Sequence, residues 1–183
     1  MAKMGYCDFS EITKFQKQLE QIEKDGRKEM CERCAKRLAA SLLSLVIPRT
    51  PVGNNVTYIN EKGIEETEKN GGTLKRGWTA NSQEEAETGG NKDIDTFLES
   101  VKVEKSGDNY TIVIENPVMY SSYVEYGHRQ TPGRYVPAIG KRLKASWVEG
   151  KYMLKKSEQD LQSMQVGILE RELEEFFKEY FGE

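Results

Sequence analysis

Long hydrophobic runs are missing from this sequence. The longest wholly apolar run is three residues, as in Leu45–Ile47, whereas a membrane-spanning helix needs about 20. The first residues run directly into charged positions and contain no apolar core of about 7 to 15 residues such as a signal peptide has. We therefore expect a soluble protein that stays in the cytosol.

Cysteine and histidine are also scarce, with three cysteines and one histidine. An odd number of cysteines without an export signal indicates reduced thiols. Cys31 and Cys34 form a C-x-x-C pair, but a zinc site needs four ligands, and the other soft candidates are Cys7 and His128. We interpret the pair as two thiols on a long helix, with adventitious metal binding or oxidation as the alternative. No metal and no cofactor are expected.

Motifs of nucleophilic catalysis are not found. His128 lies near Ser121, Ser122 and Glu125 in sequence and could be drawn with them as a catalytic triad. However, no G-x-S-x-G turn and no oxyanion-hole motif accompany them. Gly71–Thr73 lacks the spacing of a phosphate-binding loop. We therefore expect a protein that is not an enzyme.

The charge of the chain is unevenly distributed. Over 183 residues, 31% are charged and the net charge is -3, which gives no general reason to bind nucleic acid. Residues 128–156, called the basic stretch below, contain one acid and eight basic residues: Arg129, Arg134, Lys141, Arg142, Lys144, Lys151, Lys155 and Lys156. Such a stretch could bind copies of the chain or an acidic partner, contact DNA phosphates, or be a plain solvated surface.

Hydrophobic periodicity predicts long helices at both ends. Residues 1–47 have helical stripes of apolar residues, with a possible break at Gly26 and an end at Pro48. One stripe comprises Ile12, Phe15, Leu19 and Ile22, and the next Met30, Cys34, Leu38, Leu42 and Leu45. A second long helix is predicted from about Lys151 to about Tyr180. Each helix should have one face to bury and one in water.

Between these helices, residues 48–92 are predicted to form a long mobile loop region. Gly and Asn clusters surround the charged segment 61–69, and residues 56–59 are a candidate strand. A further strand is predicted at residues 74–80, followed by a polar stretch at residues 81–91.

Residues 93–150 are predicted to contain a hairpin, a short helix and a basic loop. The hairpin joins Phe97–Lys105 to Tyr110–Glu115 through a Ser-Gly-Asp-Asn turn. Met119, Tyr123 and Tyr126 are spaced to share one helix face, Gly127 is placed as a left-handed cap, and a Pro132-Gly133 turn follows.

These elements indicate the α+β class, with a small antiparallel sheet packed against the long terminal helices in a single domain, 1–183. Its segments would be 1–47, 48–92, 93–150 and 151–183.

Several aromatic and basic residues are candidates for a partner interface, because Trp, Tyr and Arg dominate binding hot spots. A core position is the commoner interpretation of Trp78 and Tyr123, whereas Tyr126, Arg129 and Tyr135, beside a loop, are better interface candidates. The full candidate set is Arg76, Trp78, Tyr126, His128, Arg129, Arg134 and Tyr135.

Four motifs carry a resemblance to a known family. They are Thr50-Pro51-Val52, Gly72-Thr73-Leu74-Lys75-Arg76-Gly77-Trp78, the segment from Asn116-Pro117 to Tyr123-Val124-Glu125-Tyr126-Gly127-His128-Arg129, and Val148 to Leu154. The chain resembles a family of small structural proteins from the neck and tail of long-tailed bacteriophages and their prophage relatives. It departs from that pattern in the insertion of residues 53–71 between the first two motifs, and in Pro137-Ala138-Ile139-Gly140 in place of a more compact Val-Pro-Gly.

The resemblance implies a non-enzymatic virion component that acts at the head-tail connection or in tail completion. It also implies a ring of identical subunits through which DNA passes without being read, assembled in the host cytoplasm next to head-completion and tail proteins. The alternative is a nucleic-acid-binding accessory module that uses the basic stretch, residues 128–156.

Overall fold

A computed structural model describes residues 10–21, 23, 26–53, 56–59, 65–68, 71–90, 92–136 and 141–182. The chain divides into two compact units. Unit 1 comprises residues 1–38, 103–112 and 165–183, and unit 2 comprises residues 39–102 and 113–164. The α+β class is confirmed. The single domain remains a prediction.

Two helices form the N-terminal region, as the glycine at position 26 suggested. Helix α1 is Ser10–Gln21 and helix α2 is Arg27–Arg49. The expected end at Pro48 is wrong, because this proline lies inside the last turn of α2. A proline is tolerable there because the missing N–H removes one hydrogen bond near a helix end that already frays.

The predicted buried faces of these helices need correction. Phe15 and Leu19 of α1 are 52% and 46% exposed. In α2 the fully buried residues are Ala39, Leu43 and Val46, each one position beyond the predicted Leu38, Leu42 and Leu45, which are half-buried. Both sets have helical spacing, so periodicity alone could not choose between them.

The region from residue 51 to 92 contains more regular structure than predicted. The candidate strand is confirmed as β1, Val56–Ile59, and it pairs antiparallel with an unexpected strand β2, Glu65–Glu68. The mobility predicted for this region stays a prediction.

The predicted strand at residues 74–80 is wrong: helix α3, Thr73–Arg76, runs into a 3₁₀ turn at Gly77–Thr79. Helix α4, Gln83–Thr88, occupies the stretch predicted as polar coil. Ser82 caps it by accepting a hydrogen bond from the Glu85 N–H, a signal that a Ser followed by acidic residues should have indicated.

The predicted hairpin is present but shorter. Strands β3, Glu104–Ser106, and β4, Asn109–Thr111, pair around the expected turn. Phe97 was wrongly placed in the first strand, because it lies in helix α5, Ile94–Ser100. The Asp93 carboxylate caps α5 by accepting from the N–H groups of Asp95 and Thr96. That local cap starts a helix at this point.

The remaining elements are a short helix, four short strands and the last long helix. Helix α6 is Ser121–Tyr126. Strand β5, Gly127–Arg129, pairs with β8, Trp147–Glu149, and β6, Tyr135–Val136, pairs with β7, Lys141–Arg142. Helix α7 is Met153–Phe181, close to the predicted bounds. The described strands thus form separate two-stranded pairs and not the one sheet expected.

Unit 1 is organised around the end of α7. Phe176 is 1% exposed, and its ring lies 4.6 Å from that of Tyr180. The guanidinium of Arg33 donates to Glu172 at 3.1 Å and to Glu179 at 2.5 Å. The bond to Glu179, and to a smaller extent that to Glu172, raises the pKa of Arg33, and the bond from Arg33 lowers the pKa of Glu179. An ion-pair network therefore joins α2 to α7.

The core of unit 2 is formed by residues from most of its elements. Its most buried apolar side chains are Leu43, Val46, Leu74, Trp78, Ala86, Phe97, Leu98, Val118 and Met153. Val118, which precedes α6, and Met153, which begins α7, are among these buried residues. The segment before α6 and the start of α7 are therefore anchored in a packed core.

None of the helices in the described ranges combines the length and the apolar character needed to span a membrane.

Candidate partner interface

Asn116 fixes the segment that leads into α6. Its side-chain Nδ2 donates to the carbonyl oxygen of Leu74 at 2.8 Å, and its Oδ1 accepts from the Val118 N–H at 3.2 Å. Gly77 allows this close approach, since a Cβ there would lie 2.8 Å from Val118 Cγ2 and closer still to the Asn116 amide. The Asn-Pro and Leu-Lys-Arg-Gly motifs are therefore two sides of one contact.

Glu125 connects α6 to the beginning of α7. This residue is 5% exposed, and its carboxylate accepts from the N–H groups of Leu154 at 3.0 Å and Lys155 at 3.1 Å. These two N–H groups belong to the first turn of α7, where no intrahelical acceptor exists and the helix dipole favours a negative charge. Glu125 is thus a cap supplied from a distant part of the chain.

Gly127 is required where α6 ends. Its φ of 86° and ψ of 172° lie in a region that is essentially restricted to glycine. A Cβ at this position would collide with the Val148 carbonyl oxygen and lie 2.9 Å from the Gly150 nitrogen. The predicted left-handed cap is therefore wrong in its ψ angle, because the chain turns directly into a strand instead of closing a helical cap.

Trp78 and Arg76, two of the predicted interface residues, are engaged inside unit 2. Trp78 is 3% exposed and its Nε1 donates to Thr50 Oγ1 at 2.7 Å. Arg76 donates to the carbonyl oxygens of Gly71, Ala86 and Glu87. Both side chains therefore connect the motif at residues 72–78 to other segments of unit 2.

Three segments of unit 2, residues 72–88, 116–126 and 150–157, are called the frame below.

The predicted aromatic face of α6 lies in solvent. Tyr123 and Tyr126 of α6 are 59% and 61% exposed, and Met119, in the turn before this helix, is 79% exposed. The core position expected for Tyr123 is therefore wrong. Apolar side chains grouped at helical spacing and left in water are unusual on a monomer, whereas isolated ones are common. This face is a candidate contact surface.

A two-stranded arm follows the frame. Between the outer pair β5·β8 and the inner pair β6·β7, the Gln130 N–H donates to Ser146 O at 2.9 Å and the Gly133 N–H to Leu143 O at 2.8 Å. The described strands are therefore nested as one antiparallel ribbon, and we call its described residues, 127–136 and 141–149, the arm. The predicted Pro-Gly turn is present at residues 132–133.

The remaining predicted interface residues belong to the end of α6 or to the arm. Arg129, Arg134 and Tyr135 are exposed, Tyr135 by 53%. His128 is half-buried; its Nε2 lies 3.5 Å from Gln130 Nε2, and its ring lies 5.7 Å from that of Tyr123. These four residues lie on the arm and Tyr126 ends α6, whereas Arg76 and Trp78 are engaged inside unit 2. Their role at an interface stays a prediction.

Two of the residues that could have formed a triad are engaged elsewhere. The Glu125 carboxylate is bonded to the start of α7, and the Ser121 hydroxyl donates to Asn116 O at 3.4 Å. Glu125 is therefore committed to structure and not to orienting the imidazole.

The two described cysteines are free thiols, half-buried on α2. Burial raises the pKa of Cys34, which favours its protonated, unreactive form. Within the part of the chain that the structure describes, no three His, Cys, Asp or Glu residues are grouped to hold a metal ion.

An apolar hollow of about 280 Å³ is lined by residues of the same motifs. The three segments that meet there are Pro51–Gly53, Gly72–Leu74 and the stretch that contributes Tyr120 and Val124. Sequence reasoning missed this hollow and the capping role of Glu125. The available signal was that the motifs occur together in one chain. This indicates that they are related, but it does not indicate which of their residues are in contact.

A family model described as "Bacteriophage HK97-gp10, putative tail-component" matches residues 13–127. The chain belongs to this family. No curated protein and no solved structure matched the chain. The match to the HK97-gp10-like family covers the motif residues of the frame up to residue 126, and ends at Gly127, where the arm begins.

Proposed function

We propose that this phage tail-component protein is a non-enzymatic part of the virion, acting at the head-tail connection or in tail completion as a closed ring of identical subunits around the DNA channel. It would be assembled in the host cytoplasm, contact head-completion and tail proteins, and let DNA pass without reading its sequence. Family membership supports the tail role. The exposed α6 face and the arm support an action through contacts.

The observation that carries most weight is the solvated face of α6. Tyr123 and Tyr126 project from this helix and Met119 from the turn before it, and the Glu125 and Asn116 contacts hold both in place. A rigid, exposed aromatic surface loses little conformational entropy when a partner covers it. Tyrosines of this kind are typical anchors at protein interfaces.

The ring is supported by the contrast between surfaces of one chain. A ring requires a head-to-tail interface, in which two different surfaces of the same protein are complementary. The basic stretch has eight of the 27 basic residues and only one of the 30 acids, which leaves 19 basic and 29 acidic residues for the rest of the chain. Copies of this protein therefore offer surfaces of opposite charge to one another.

Deleting the gene and complementing it with variants tests this function. The deletion should leave heads and tails unjoined or tails unfinished in negatively stained lysates, and wild-type protein should restore whole particles. Replacing both Tyr123 and Tyr126 by Ser should fail to restore them, although the variant remains folded by circular dichroism. Normal particles without the protein, or a substrate turnover proportional to the amount of purified protein, would contradict the proposal.

A matched control uses exposed apolar side chains away from the α6 face. Met164 and Val166 of α7 are 48% and 62% exposed. Replacing both by Ser removes a similar amount of exposed apolar surface, so complementation should remain normal. In parallel, light scattering should show a single closed oligomer of the wild-type chain.

The second candidate function is nucleic-acid binding through the arm. Arg129, Arg134, Arg142 and Lys144 are exposed on it, and basic ribbons can follow a phosphate backbone. Gel-shift titrations with duplex DNA at several salt concentrations distinguish the two functions. Binding that weakens steeply with salt would favour this candidate, and no binding at low salt would exclude it.

A further inference from the structure

The hollow described above is a surface that three motifs of the chain combine to form. Its lining is largely apolar, with Val52 54% exposed on one side and Tyr120 43% exposed on another. Frame contacts fix part of its lining: the Arg76 guanidinium is bonded to Gly71, next to the lining residue Gly72, and Asn116 is bonded to the lining residue Leu74. A fixed apolar hollow of this size suits an aromatic or aliphatic side chain.

The acidic helix α4 is bonded to residues that adjoin the lining of the hollow in sequence. The Gln83 side chain accepts from the Met119 N–H at 3.2 Å, and the Arg76 guanidinium donates to both Gly71 O and Glu87 O. Glu84 and Glu87 of α4 are exposed. A ligand for the hollow should therefore combine an apolar group with positive charge.

The arm has this composition. Tyr135, 53% exposed, and Val136 form its inner strand, flanked by Arg134 and the paired Arg142. The arm is braced by main-chain bonds and by the Arg142 guanidinium, which donates to Gly133 O at 2.7 Å. Its aromatic side chain and its charges are thus presented in a defined geometry.

We propose that the arm of one subunit docks in the hollow of the next, with Tyr135 against Val52 and Tyr120 and with Arg134 facing Glu84 and Glu87. This contact rests on the proposed ring and identifies its interface. It joins two different surfaces of identical chains, as a closed cyclic assembly requires. Opposite charges set the register, while the apolar contact excludes water.

Disulfide trapping tests the contact directly. In the full chain with Cys7, Cys31 and Cys34 replaced by Ser, one preparation carries Val52→Cys and a second carries Tyr135→Cys. Mixed and oxidised, the two should give a cross-linked dimer on a non-reducing gel, because the thiols approach each other across the interface. Each preparation alone should give far less. A Lys102→Cys chain, altered at an exposed site outside both surfaces, serves as the matched control for Val52→Cys.

Charge exchange gives a second, independent test. Arg134→Glu should raise the dissociation constant of the oligomer about tenfold or more, because it places a like charge against α4. Adding Glu84→Arg and Glu87→Arg to the same chain should restore most of the affinity. The matched controls Lys102→Glu and Glu158→Arg change equally exposed charges away from both surfaces and should leave association unchanged.

The outcomes separate this contact from the proposed function. Cross-linked mixed dimers and rescue by charge exchange support it. An oligomer that forms without the Val52–Tyr135 cross-link overturns the contact and leaves the ring standing. A chain that carries both Val52→Cys and Tyr135→Cys and forms the cross-link within itself shows that the arm occupies its own hollow, which also overturns the contact. If the gene deletion produces normal particles, the proposed function in head-tail connection or tail completion is itself overturned.

Discussion

The frame and the arm are adjacent in sequence but differ in how they hold their shape. The frame uses buried polar contacts between distant segments, such as Glu125 with the start of α7 and Trp78 with Thr50. The arm uses main-chain pairing between its own two strands and leaves Arg129, Tyr135 and Trp147 exposed. One region is specified by tertiary contacts, and the other presents side chains outward.

The Tyr-Val-Glu-Tyr-Gly-His-Arg motif contains both kinds of residue. Glu125 and Gly127 are needed for the turn from helix to strand, whereas Tyr123, Tyr126 and Arg129 are exposed. A single motif can therefore combine residues kept for folding with residues available for contact. Substitutions should separate the two groups.

The largest expected effect concerns two glycines with similar φ angles. Gly127→Ala should destabilise the protein by about 3 kcal/mol, because it adds a Cβ against Val148 O in a glycine-only conformation. Gly133 in the arm has a φ of 83° but nothing near its Cβ position, so Gly133→Ala should cost only about 1 kcal/mol. Urea unfolding measures both. Equal losses would show that the first residue of the arm, packed where the arm meets the frame, and its Pro-Gly turn are not distinguished by packing.

Removing the distant cap should have the next largest effect. Glu125→Ala leaves the Leu154 and Lys155 N–H groups without their acceptor and should cost about 2 kcal/mol. Glu125→Gln keeps an acceptor oxygen and should lose less. If thermal unfolding finds both variants as stable as the wild type, Glu125 does not hold α7 in place.

The two tryptophans give a spectroscopic version of the same comparison. Trp78→Phe removes the hydrogen bond to buried Thr50 and should cost about 1 to 2 kcal/mol. Trp147, which is 49% exposed on the arm, should tolerate Phe within about 0.5 kcal/mol. Trp147→Phe should leave blue-shifted fluorescence that iodide quenches poorly, and Trp78→Phe should leave red-shifted, readily quenched fluorescence. The reverse pattern would mean that Trp78 is exposed and Trp147 is buried, which would contradict the structure.

The smallest effect is expected from a charge pair at the edge of the frame. The Lys92 ammonium, bonded to Glu85, lowers the pKa of that carboxyl below its usual 4.5. A lowered folded-state pKa contributes stability above the unfolded value, and this contribution is lost as pH falls through the folded value.

Lys92→Ala should therefore be slightly less stable than the wild type near neutral pH, and this difference should vanish in acid. Urea unfolding between neutral pH and about pH 3 checks the sign, with Lys102→Ala as an exposed control. A difference that grows in acid would contradict it.

The sequence was most informative where a local pattern determines the structure. Both long helices, the Ser-Gly-Asp-Asn hairpin and the short helix that carries Tyr123 and Tyr126 follow from spacing and turn residues. Met119 was wrongly placed in that helix, which begins at Ser121. Whether a helix face is covered depends on its neighbours, so the exposure of Phe15 and the buried position of Leu43 did not follow from spacing.

Structure specified by distant contacts was missed. The segment at residues 74–80 reads as a strand by composition, but Asn116 bonded to Leu74 and Trp78 bonded to Thr50 hold it as a helix and a 3₁₀ turn. Likewise, Glu125 looked like one of many acids in the sequence. No local pattern indicates that its carboxylate oxygens accept hydrogen bonds from a helix that begins almost 30 residues later.

Hydrogen exchange of the free chain and of the assembled oligomer tests the central claim most directly. In the free chain, backbone amides of the frame should exchange slowly and those of the arm faster. Assembly should slow exchange in the described arm segments, 127–136 and 141–149, and in α6, with little change at Trp78 and Leu154. An oligomer in which the arm and α6 exchange as fast as in the free chain would contradict the account.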